Sequence, residues 1–457
     1  MSMTSREPDV GAPEFLERSS EVAERTGFRR LAAGGGMLAL AMMLANAGNY
    51  LLNIGLGRWL TPAEFADANL MVTLMLVITA AAISLQLIAA RFAGMNSARG
   101  TDDQTNVLSH WLERRAIIAG IALALVFAAG APLWRAFFHT ESAVPFVILG
   151  LGMPFYLAQA VGRGVLQGQL RFGPLAMTFA IEMVVRVGLG AGLVAAGFGV
   201  VGATTALTAS FVATWVSVRL VVGSGRTGRA ADDLIADVLA YASPIGVMLA
   251  GQIIINNGDV LVAKRYFDAD IAGVYAAVAL IGRAVFFLSW TVATTLFPAV
   301  AQREEGGQGT NGLLFGGVAV VAVLGFAMVV AAALLGDSLL VGLFGDAYGS
   351  TGSLLTRYAF ATSVFAVANL IVSHHLSAGE TAFAWLLIAG AAIQTALLLV
   401  MRSEPATVVN AQVIAMVTLL AVVVGVHHWH ARRPSTKTEL AESASVAHTQ
   451  LTRESRR

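Results

Sequence analysis

The 457-residue chain contains no cysteine. Disulfide bonds, thiolate metal sites and thiol catalysis are therefore excluded. The chain also has little charge, because Asp, Glu, Lys and Arg together make up 12% of it, which is about half the share usual in soluble domains. A chain of this length could form roughly three soluble domains, but so few charged residues could not coat their surfaces. These absences argue against an ordinary soluble protein.

Lysine is especially scarce, with only Lys264 and Lys437. Neither stands in a G-x-x-x-x-G-K-[ST] sequence, so the chain has no phosphate-binding loop for ATP hydrolysis. The net charge is +1 and no basic run is interleaved with aromatic residues, so nothing indicates nucleic-acid binding. We expect no cofactor and no metal, with energy supplied by an ion gradient, the membrane potential or substrate metabolism.

What the chain has in excess is apolar sequence, 57% of its residues. These residues come in blocks of about 20 or more, the length that a helix needs to cross a bilayer. The blocks predict helices and not barrel strands, which would alternate polar and apolar residues over about ten positions. We count about twelve spans, the third over residues 116–137 and the eighth over 271–297. The predicted fold is an all-α polytopic membrane protein, with no enzymatic site.

The longest polar break, residues 223–237, separates six spans from six. Weak matches recur between the halves at a nearly constant offset, for example Asn49 with Asn256 and Arg58-Trp59-Leu60 with Arg265-Tyr266-Phe267. Repeats of this kind are typical of transporters. We therefore predict two pseudo-symmetric six-helix lobes around a central cavity. The predicted divisions are an N-terminal tail (1–30), an N-lobe (31–222), a linker (223–237), a C-lobe (238–428) and a C-terminal tail (429–457).

The basic residues predict the orientation, since Lys and Arg favour cytoplasmic loops. With an inside N-terminus, most of them, including Arg163 and Arg171, fall in the tails and inner loops. The outer loops then receive only Arg58, Arg135, Lys264, Arg265 and Arg402. The first thirty residues hold no long apolar core, which argues against a secretory signal peptide. We expect a multi-pass protein of the cytoplasmic membrane with its tails and linker in the cytoplasm.

Several short motifs in both halves resemble those of one transporter family. Arg58-Trp59-Leu60-Thr61-Pro62-Ala63-Glu64-Phe65 resembles the R-x-L-T-P-x-E-[FY] turn of bacterial polysaccharide and lipid-linked oligosaccharide flippases, although Ala66 stands where that family commonly has Gly. Leu166-Gln167-Gly168-Gln169-Leu170-Arg171-Phe172 resembles their L-Q-G-x-x-R-F loop. Asn256–Asp259 with Gly273-Val274-Tyr275-Ala276-Ala277, and Leu296-Phe297-Pro298, resemble their N-x-x-D, G-x-Y-A-A and L-F-P motifs. The family belongs to the multidrug/oligosaccharidyl-lipid/polysaccharide exporter superfamily.

The resemblance implies a flippase that moves a polyprenyl-diphosphate-linked oligosaccharide across the membrane by alternating access, for cell-surface polysaccharide or exopolysaccharide biosynthesis. Its expected partners are the lipid-linked glycan and membrane lipids, with a polysaccharide polymerase and glycosyltransferases as further possibilities. Two alternatives stay open. One is a multidrug/toxin-extrusion-type cation-coupled antiporter, whose drug site should be acidic and aromatic. The other is a membrane glycosyltransferase using a lipid-phosphate sugar donor, for which Glu64 and Asp67 are acidic candidates.

Arg186 and Arg283 are the first candidates for substrate binding, because each lies near the middle of a predicted span, one in each half. A charge at that depth is costly and needs a reason. Guanidinium groups suit a diphosphate, which can accept several of their planar donors. The alternative for Arg186 is a structural ion pair with Glu182, one helical turn earlier. Arg283 has no acidic neighbour in its own span.

Asp259 and Glu182 are the candidate coupling carboxylates, since a carboxylate in a low-dielectric site can exchange a proton or bind a cation. The alternative for Asp259 is a structural ion pair with Lys264, Arg265 or Arg357. We assign Arg58, Arg265 and Arg357 to the outer level of the membrane.

Asn46, Asn49 and Asn53 recur at spacings of three and four, which places three amides on one helix face. They are expected either to bind sugar hydroxyls or to hold helices together. The histidines of His374-His375 and His427-His428-His430 lie near predicted inner span ends. We interpret them as interfacial imidazoles in preference to metal ligands.

Overall fold

The computed structural model describes residues 12–222, 232–287 and 311–431, with the isolated positions 289 and 292. For residues 12–35 and 232–245 it describes the backbone alone. The described ranges contain α-helices, one 3₁₀ turn and no strand. The linker residues 223–231, the C-terminal residues 432–457, Leu296-Phe297-Pro298 and residues 1–11 lie outside the described part.

The helices of the first half are α1 (Ala12–Trp59), α2 (Pro62–Ala98), α3 (Asp102–Ala129), α4 (Ala131–Phe138), α5 (Val144–Gly168), α6 (Phe172–Ala195) and α7 (Gly199–Val222). The second half contains α8 (Asp232–Tyr266), α9 (Ala269–Gly282), α10 (Asn311–Phe344), a 3₁₀ turn (Asp346–Tyr348), α11 (Gly352–Ser377), α12 (Ala382–Val400) and α13 (Pro405–Ala431).

Eleven helices of the described part are long and apolar enough to cross a membrane, and twelve if α3 and α4 count as one span bent by 63°. The prediction of an all-α membrane protein with about twelve spans is therefore confirmed. The bend falls at Gly130, within the third predicted span. Pro132 follows at the second position of α4, where a missing N–H costs no helical hydrogen bond. α1 is helical from Ala12 onward, so its helix begins inside the predicted N-terminal tail.

Contacts within the chain define two compact units. The N-terminal unit runs to Gly246 and includes Asp268–Gly273, and the C-terminal unit comprises Val247–Phe267 and the chain from Val274. In the N-terminal unit α5 is central and packs against α2, α3 and α7, while α6 packs against α1 and α7. In the C-terminal unit α11 packs against α10 and α13, and α13 also packs against α12.

The turn before α2 explains the first family-like motif. Thr61 caps the helix: the Glu64 amide donates to the Thr61 hydroxyl at 3.3 Å, and the Thr61 amide donates to the Glu64 carboxylate at 2.9 Å. Pro62 occupies the first helical position, where its fixed φ favours helix. Leu60 and Phe65, which flank the cap, are both buried. This sequence therefore specifies where α2 begins.

The second motif lies where α2 and α5 approach most closely. A side chain at Gly168 would meet the Ala90 carbonyl at 2.1 Å, and one at Gly164 would meet the Gln86 carbonyl at 2.2 Å. Only glycine allows the two backbones to come this near. The Gln86 amide also donates to the Gln167 side-chain oxygen at 2.9 Å. Gln167 and Gly168 of this motif thus help to pack α5 against α2.

Candidate functional site

A charge cluster lies inside the N-terminal unit and joins α5 to α6. Glu182 accepts from Arg163 on one carboxylate oxygen at 2.7 Å and from Arg186 on the other. The Arg186–Glu182 pair is the one that their four-residue spacing predicted. Arg163, by contrast, was expected in an inner loop, and this is wrong: it lies within α5 and is buried. We call Arg163, Glu182 and Arg186 the N-terminal cluster.

Neutral groups from three helices, α1, α6 and α7, complete the cluster. Arg186 donates through Nε to the Ser210 hydroxyl and through Nη1 to the Asn49 side-chain oxygen, both at 3.1 Å. Arg163 donates to the hydroxyl of Thr178 at 3.0 Å and to its carbonyl at 3.1 Å. Its guanidinium also lies 4.0 Å from the centre of the Phe179 ring, a cation–π arrangement.

The N-terminal cluster has unbalanced charge. Two permanently protonated guanidiniums share one carboxylate, so its formal charge is +1 when Glu182 is ionised. Both arginines are buried, at 7% and 8% exposure for Arg163 and Arg186. Arg163 Nη1 makes no hydrogen bond among the described residues. Since a buried charge without a counterion is costly, this surplus favours an additional anion.

The three asparagines predicted to share a face have different environments. Asn49 binds Arg186, and Asn53 donates to the Asn49 carbonyl at 2.8 Å. The side-chain oxygen of Asn53 is buried without a hydrogen-bond partner in the described structure. Asn46 is exposed on α1. The arrangement brings one of the three amides directly to a guanidinium and leaves another accessible.

A second charge cluster lies inside the C-terminal unit. Arg283 donates to Asp259 at 3.0 Å, to the Tyr358 hydroxyl at 2.9 Å and to the Asn257 side-chain oxygen at 3.3 Å. Asp259 has no exposed surface. Its second oxygen accepts from the hydroxyls of Tyr275 at 3.0 Å and Tyr358 at 2.8 Å. We call these five residues the C-terminal cluster; its charges balance when Asp259 is ionised.

This network changes the interpretation of Asp259 and Arg283. Asp259 was expected to pair with Lys264, Arg265 or Arg357 if it were structural, but its cationic partner is Arg283. The sequence showed no acidic neighbour for Arg283 because the carboxylate comes from a different helix, α8. The family-like segments Asn256–Asp259 and Gly273–Ala277 meet here through the Tyr275–Asp259 hydrogen bond. Both carboxylate oxygens of Asp259 accept hydrogen bonds, which is typical of a structural ion pair.

The three arginines assigned to the outer level are less buried than the arginines of the two clusters. Arg58 and Arg357 are exposed. Arg265 is half-buried, with its guanidinium 5.2 Å from the centre of the Tyr266 ring. The positions of Arg58 and Arg265 at the ends of α1 and α8 match the repeat that the sequence suggested.

A small cavity opens beside the C-terminal cluster. Its polar lining comes from Asn256, Tyr358, Thr362, Gln394 and Gln412, and it contains no cationic side chain. The side-chain oxygens of Gln394 and Gln412 have no hydrogen-bond partner among the described residues. This lining of neutral amides and hydroxyls provides no positive charge for an anionic group.

The acidic residues after α1 have structural roles. Glu64 completes the cap of α2, and Asp67 accepts from the Glu141 amide at 3.1 Å. These contacts give each carboxylate a role in the fold. Among the described residues, no group of three or more His, Asp or Glu side chains is arranged to hold a metal ion.

Residues 56–353 match the model of a family described as polysaccharide biosynthesis protein. A search of curated protein sequences found no match. Several solved transporter structures resemble the chain in fold. An inward-facing multidrug resistance MATE family transporter of the MOP superfamily has 15% identity and a TM-score of 0.70, over 85% of this chain and 97% of that one. The lipid II flippase MurJ, in an inward closed conformation, has 13% identity and a TM-score of 0.69, over 86% and 87%.

A third solved structure also resembles the chain in fold. It is a MOP superfamily transporter from Pyrococcus furiosus, described as having a binding pocket of reverse polarity that suggests a different function. It has 14% identity and a TM-score of 0.54, over 86% of this chain and 94% of that one. At identities of 13% to 15%, the three matches show a similarity of fold alone.

Proposed function

Because the chain belongs to the polysaccharide biosynthesis protein family, we propose that it is a flippase for a polyprenyl-diphosphate-linked oligosaccharide in the cytoplasmic membrane. The proposal joins the family with the fold that the chain shares with MurJ and the MATE transporters. It places both termini in the cytoplasm, as the distribution of basic residues favours. Transport would proceed by alternating access and draw on an ion gradient or the membrane potential.

The observation that carries the proposal is the surplus positive charge of the N-terminal cluster. A diphosphate offers several oxygen acceptors to the planar donors of Arg163 and Arg186. The exposed Asn46 extends the same helix face with an amide able to bind sugar hydroxyls. Glu182 pairs with both guanidiniums in the structure. In this proposal the diphosphate of the head group replaces part of that pairing when the substrate binds.

The sequence assigned one arginine of each half to the head group, and the geometry supports a different division. Arg283 already has a carboxylate, and its cluster is neutral. A diphosphate bound there would add negative charge beside Asp259, whereas at the N-terminal cluster it would offset an excess of positive charge. We therefore assign the anionic group to the N-terminal unit and a structural role to Arg283 and Asp259.

The alternative of a drug-cation antiporter has less support from the described spans. Glu182 and Asp259 are both engaged with arginine, so neither is a carboxylate available to an organic cation. A cation would also meet the excess positive charge of the N-terminal cluster. The proteoliposome assay below distinguishes the two functions directly, since the same vesicles can be tested with an organic cation.

The test uses purified full-length protein in proteoliposomes with a polyprenyl-diphosphate sugar. Lectin binding measures the sugar that reaches the opposite leaflet. Arg163→Gln and Arg186→Gln should each reduce the transport rate by about 10- to 100-fold, which corresponds to losing a charged hydrogen bond of about 1.5–3 kcal/mol. Arg186→Lys should retain part of the activity, because it keeps the charge and loses the planar donors.

Arg219→Gln is the matched control. Arg219 belongs to the same unit and also pairs with a glutamate, Glu113, at 2.9 Å, but outside the N-terminal cluster. It should transport at nearly the wild-type rate. Wild-type transport by both cluster variants would overturn the assignment of the head group, and transport of an organic cation in place of the lipid would overturn the flippase proposal.

A further inference from the structure

Three side chains form a hydrogen-bonded series: His375 near the end of α11, Glu380 in the turn that follows it, and His427 near the end of α13. His375 Nδ1 lies 3.0 Å from the Glu380 carboxylate, and His375 Nε2 lies 2.9 Å from His427 Nδ1. His375 is buried and His427 is half-buried, whereas the Glu380 side chain is 43% exposed. The buried imidazole of His375 is therefore hydrogen-bonded on both sides to more accessible groups, Glu380 and His427. We call these three residues the histidine relay.

The turn after α11 places Glu380 over His375. Gly379 has a φ of 87°, in the left-handed region that glycine adopts most readily. The Glu380 amide donates to the His375 carbonyl at 2.9 Å, which fixes the turn against the last turn of the helix. His375 also stacks on Phe383, with ring centres 3.7 Å apart. The imidazole is thus held in one orientation from two sides.

When both imidazoles are neutral and Glu380 is ionised, the hydrogen bonds determine which nitrogen carries each proton. A carboxylate accepts, so His375 donates through Nδ1–H to an ionised Glu380. His375 Nε2 must then be the acceptor, and His427 Nδ1–H is its donor. The remaining nitrogen, His427 Nε2, carries a free lone pair and is the place where a proton can be added.

The relay accommodates one added proton without losing a hydrogen bond. If the proton binds at His427 Nε2, the Nδ1 proton can move to His375 Nε2, which makes His375 an imidazolium next to the Glu380 carboxylate. His375 then donates to both neighbours. The imidazole nitrogen that is then left for a second proton is His427 Nδ1. A proton there places two N–H groups face to face at the 2.9 Å contact, and that hydrogen bond must break.

The surroundings of the relay carry both favourable and opposing charge. The C-terminal ends of α11 and α13 both lie here, and a helix C-terminus favours a cation. The other titratable side chains nearby are His374 on α11 and His428 and His430 on α13. α12 contributes no titratable residue. Positive charge on any of these neighbours would oppose protonation of the relay.

We propose that the histidine relay is a proton-binding site that joins α11 to α13 when it carries no more than one added proton and separates them when it carries two. The inference goes beyond the flippase proposal, since it stands whichever substrate the protein carries. It assigns a chemical ligand, the proton, to a position in the C-terminal unit that is separate from both charge clusters. It also makes the α11–α13 contact dependent on pH.

The proton-binding part is tested by NMR of full-length protein labelled with ¹⁵N-histidine in lipid nanodiscs, titrated between about pH 4 and 8.5. His375→Gln and His427→Gln assign the two relay signals. In the wild type we expect both signals to shift together over a first step and again over a second. Glu380→Gln should lower the pH of the first step. His110→Gln, a change in α3 of the other unit, is the control and should leave both steps unchanged.

The separation of the helices is tested with a single spin label. The chain has no cysteine, so Leu376→Cys on α11 can be labelled alone; Leu376 packs in the core shared by α11 and α13. Label mobility should rise by several-fold across the second step in the wild type and stay constant in the His427→Gln background. Independent single-step titration of the two histidines, or label mobility that rises equally in His427→Gln, would overturn the proposal.

Discussion

Replacing Asp259 with Asn should destabilise the C-terminal unit while changing almost no volume. The aspartate has no exposed surface and accepts from Arg283, Tyr275 and Tyr358 at 2.8 to 3.0 Å. An amide removes the negative charge and presents N–H groups to donors that need an acceptor. Arg283 would then be a buried cation without a counterion.

The magnitude follows from this loss of pairing. Removing one partner of a buried ion pair costs about 3–5 kcal/mol, mostly because the other charge is left unpaired. For a unit of this size, 1 kcal/mol lowers the melting temperature by about 2–4 °C. The variant should therefore melt roughly 6–20 °C below the wild type. Asp259→Asn combined with Arg283→Gln removes both charges and should recover more than half of the loss.

Intrinsic tryptophan fluorescence in detergent is the appropriate assay, because thiol-reactive dyes have no target in a chain without cysteine. Asp270→Asn is the control: Asp270 is an exposed aspartate in the first turn of α9 and should change the melting temperature little. A coupling role for Asp259 predicts a different outcome, with normal melting and altered dependence of transport on pH or on the cation. That outcome, or failure of the double variant to recover stability, would refute the structural interpretation.

Two further predictions concern helix ends and helix packing. Thr61→Ala removes the cap of α2 and should cost about 1 kcal/mol, seen as faster hydrogen exchange in the first turn of that helix; unchanged exchange would contradict the cap. Gly164→Ala places a methyl group 2.2 Å from the Gln86 carbonyl and should separate α2 from α5 and reduce the folded yield in membranes. Gly192→Ala is its control: a methyl group there would meet no atom from a neighbouring helix within 4 Å, and the change should be neutral or slightly stabilising.

The number and type of the helices could be predicted from the sequence because the membrane imposes them. An apolar block of about 20 residues has few alternatives to a spanning helix. The bend at Gly130 was missed, since hydropathy records how apolar a segment is and not its direction. The helix that precedes the first span was missed for a related reason: residues from Ala12 onward are too polar to count as a span and were therefore assigned to a tail.

The candidate site could be predicted only in part, because one of its ion pairs lies within a single helix and the others join different helices. The Glu182–Arg186 pair follows from a spacing of four residues on a helix. The Asp259–Arg283 pair joins residues on different helices, so no spacing indicates it. Arg163 was missed because it was counted as a loop residue, although α5 continues beyond it to Gly168. An intramembrane arginine close to a span end needs its carboxylate partner considered before it is assigned to the cytoplasm.

Arg186 and Arg283 do not occupy equivalent positions in the two halves of the internal repeat. Arg186 lies on the fifth predicted span, whereas Arg283 lies on the eighth, the second span of its half. Each nevertheless binds an asparagine from the first span of its own unit, Asn49 or Asn257. Both clusters therefore contain an asparagine amide bonded to an arginine. Their net charges differ because Arg163 adds a second cation to the N-terminal cluster alone. If this imbalance selects an anionic cargo, introducing Arg163→Gln should weaken diphosphate binding much more than it changes folding, since Glu182 and Arg186 would remain as a balanced pair.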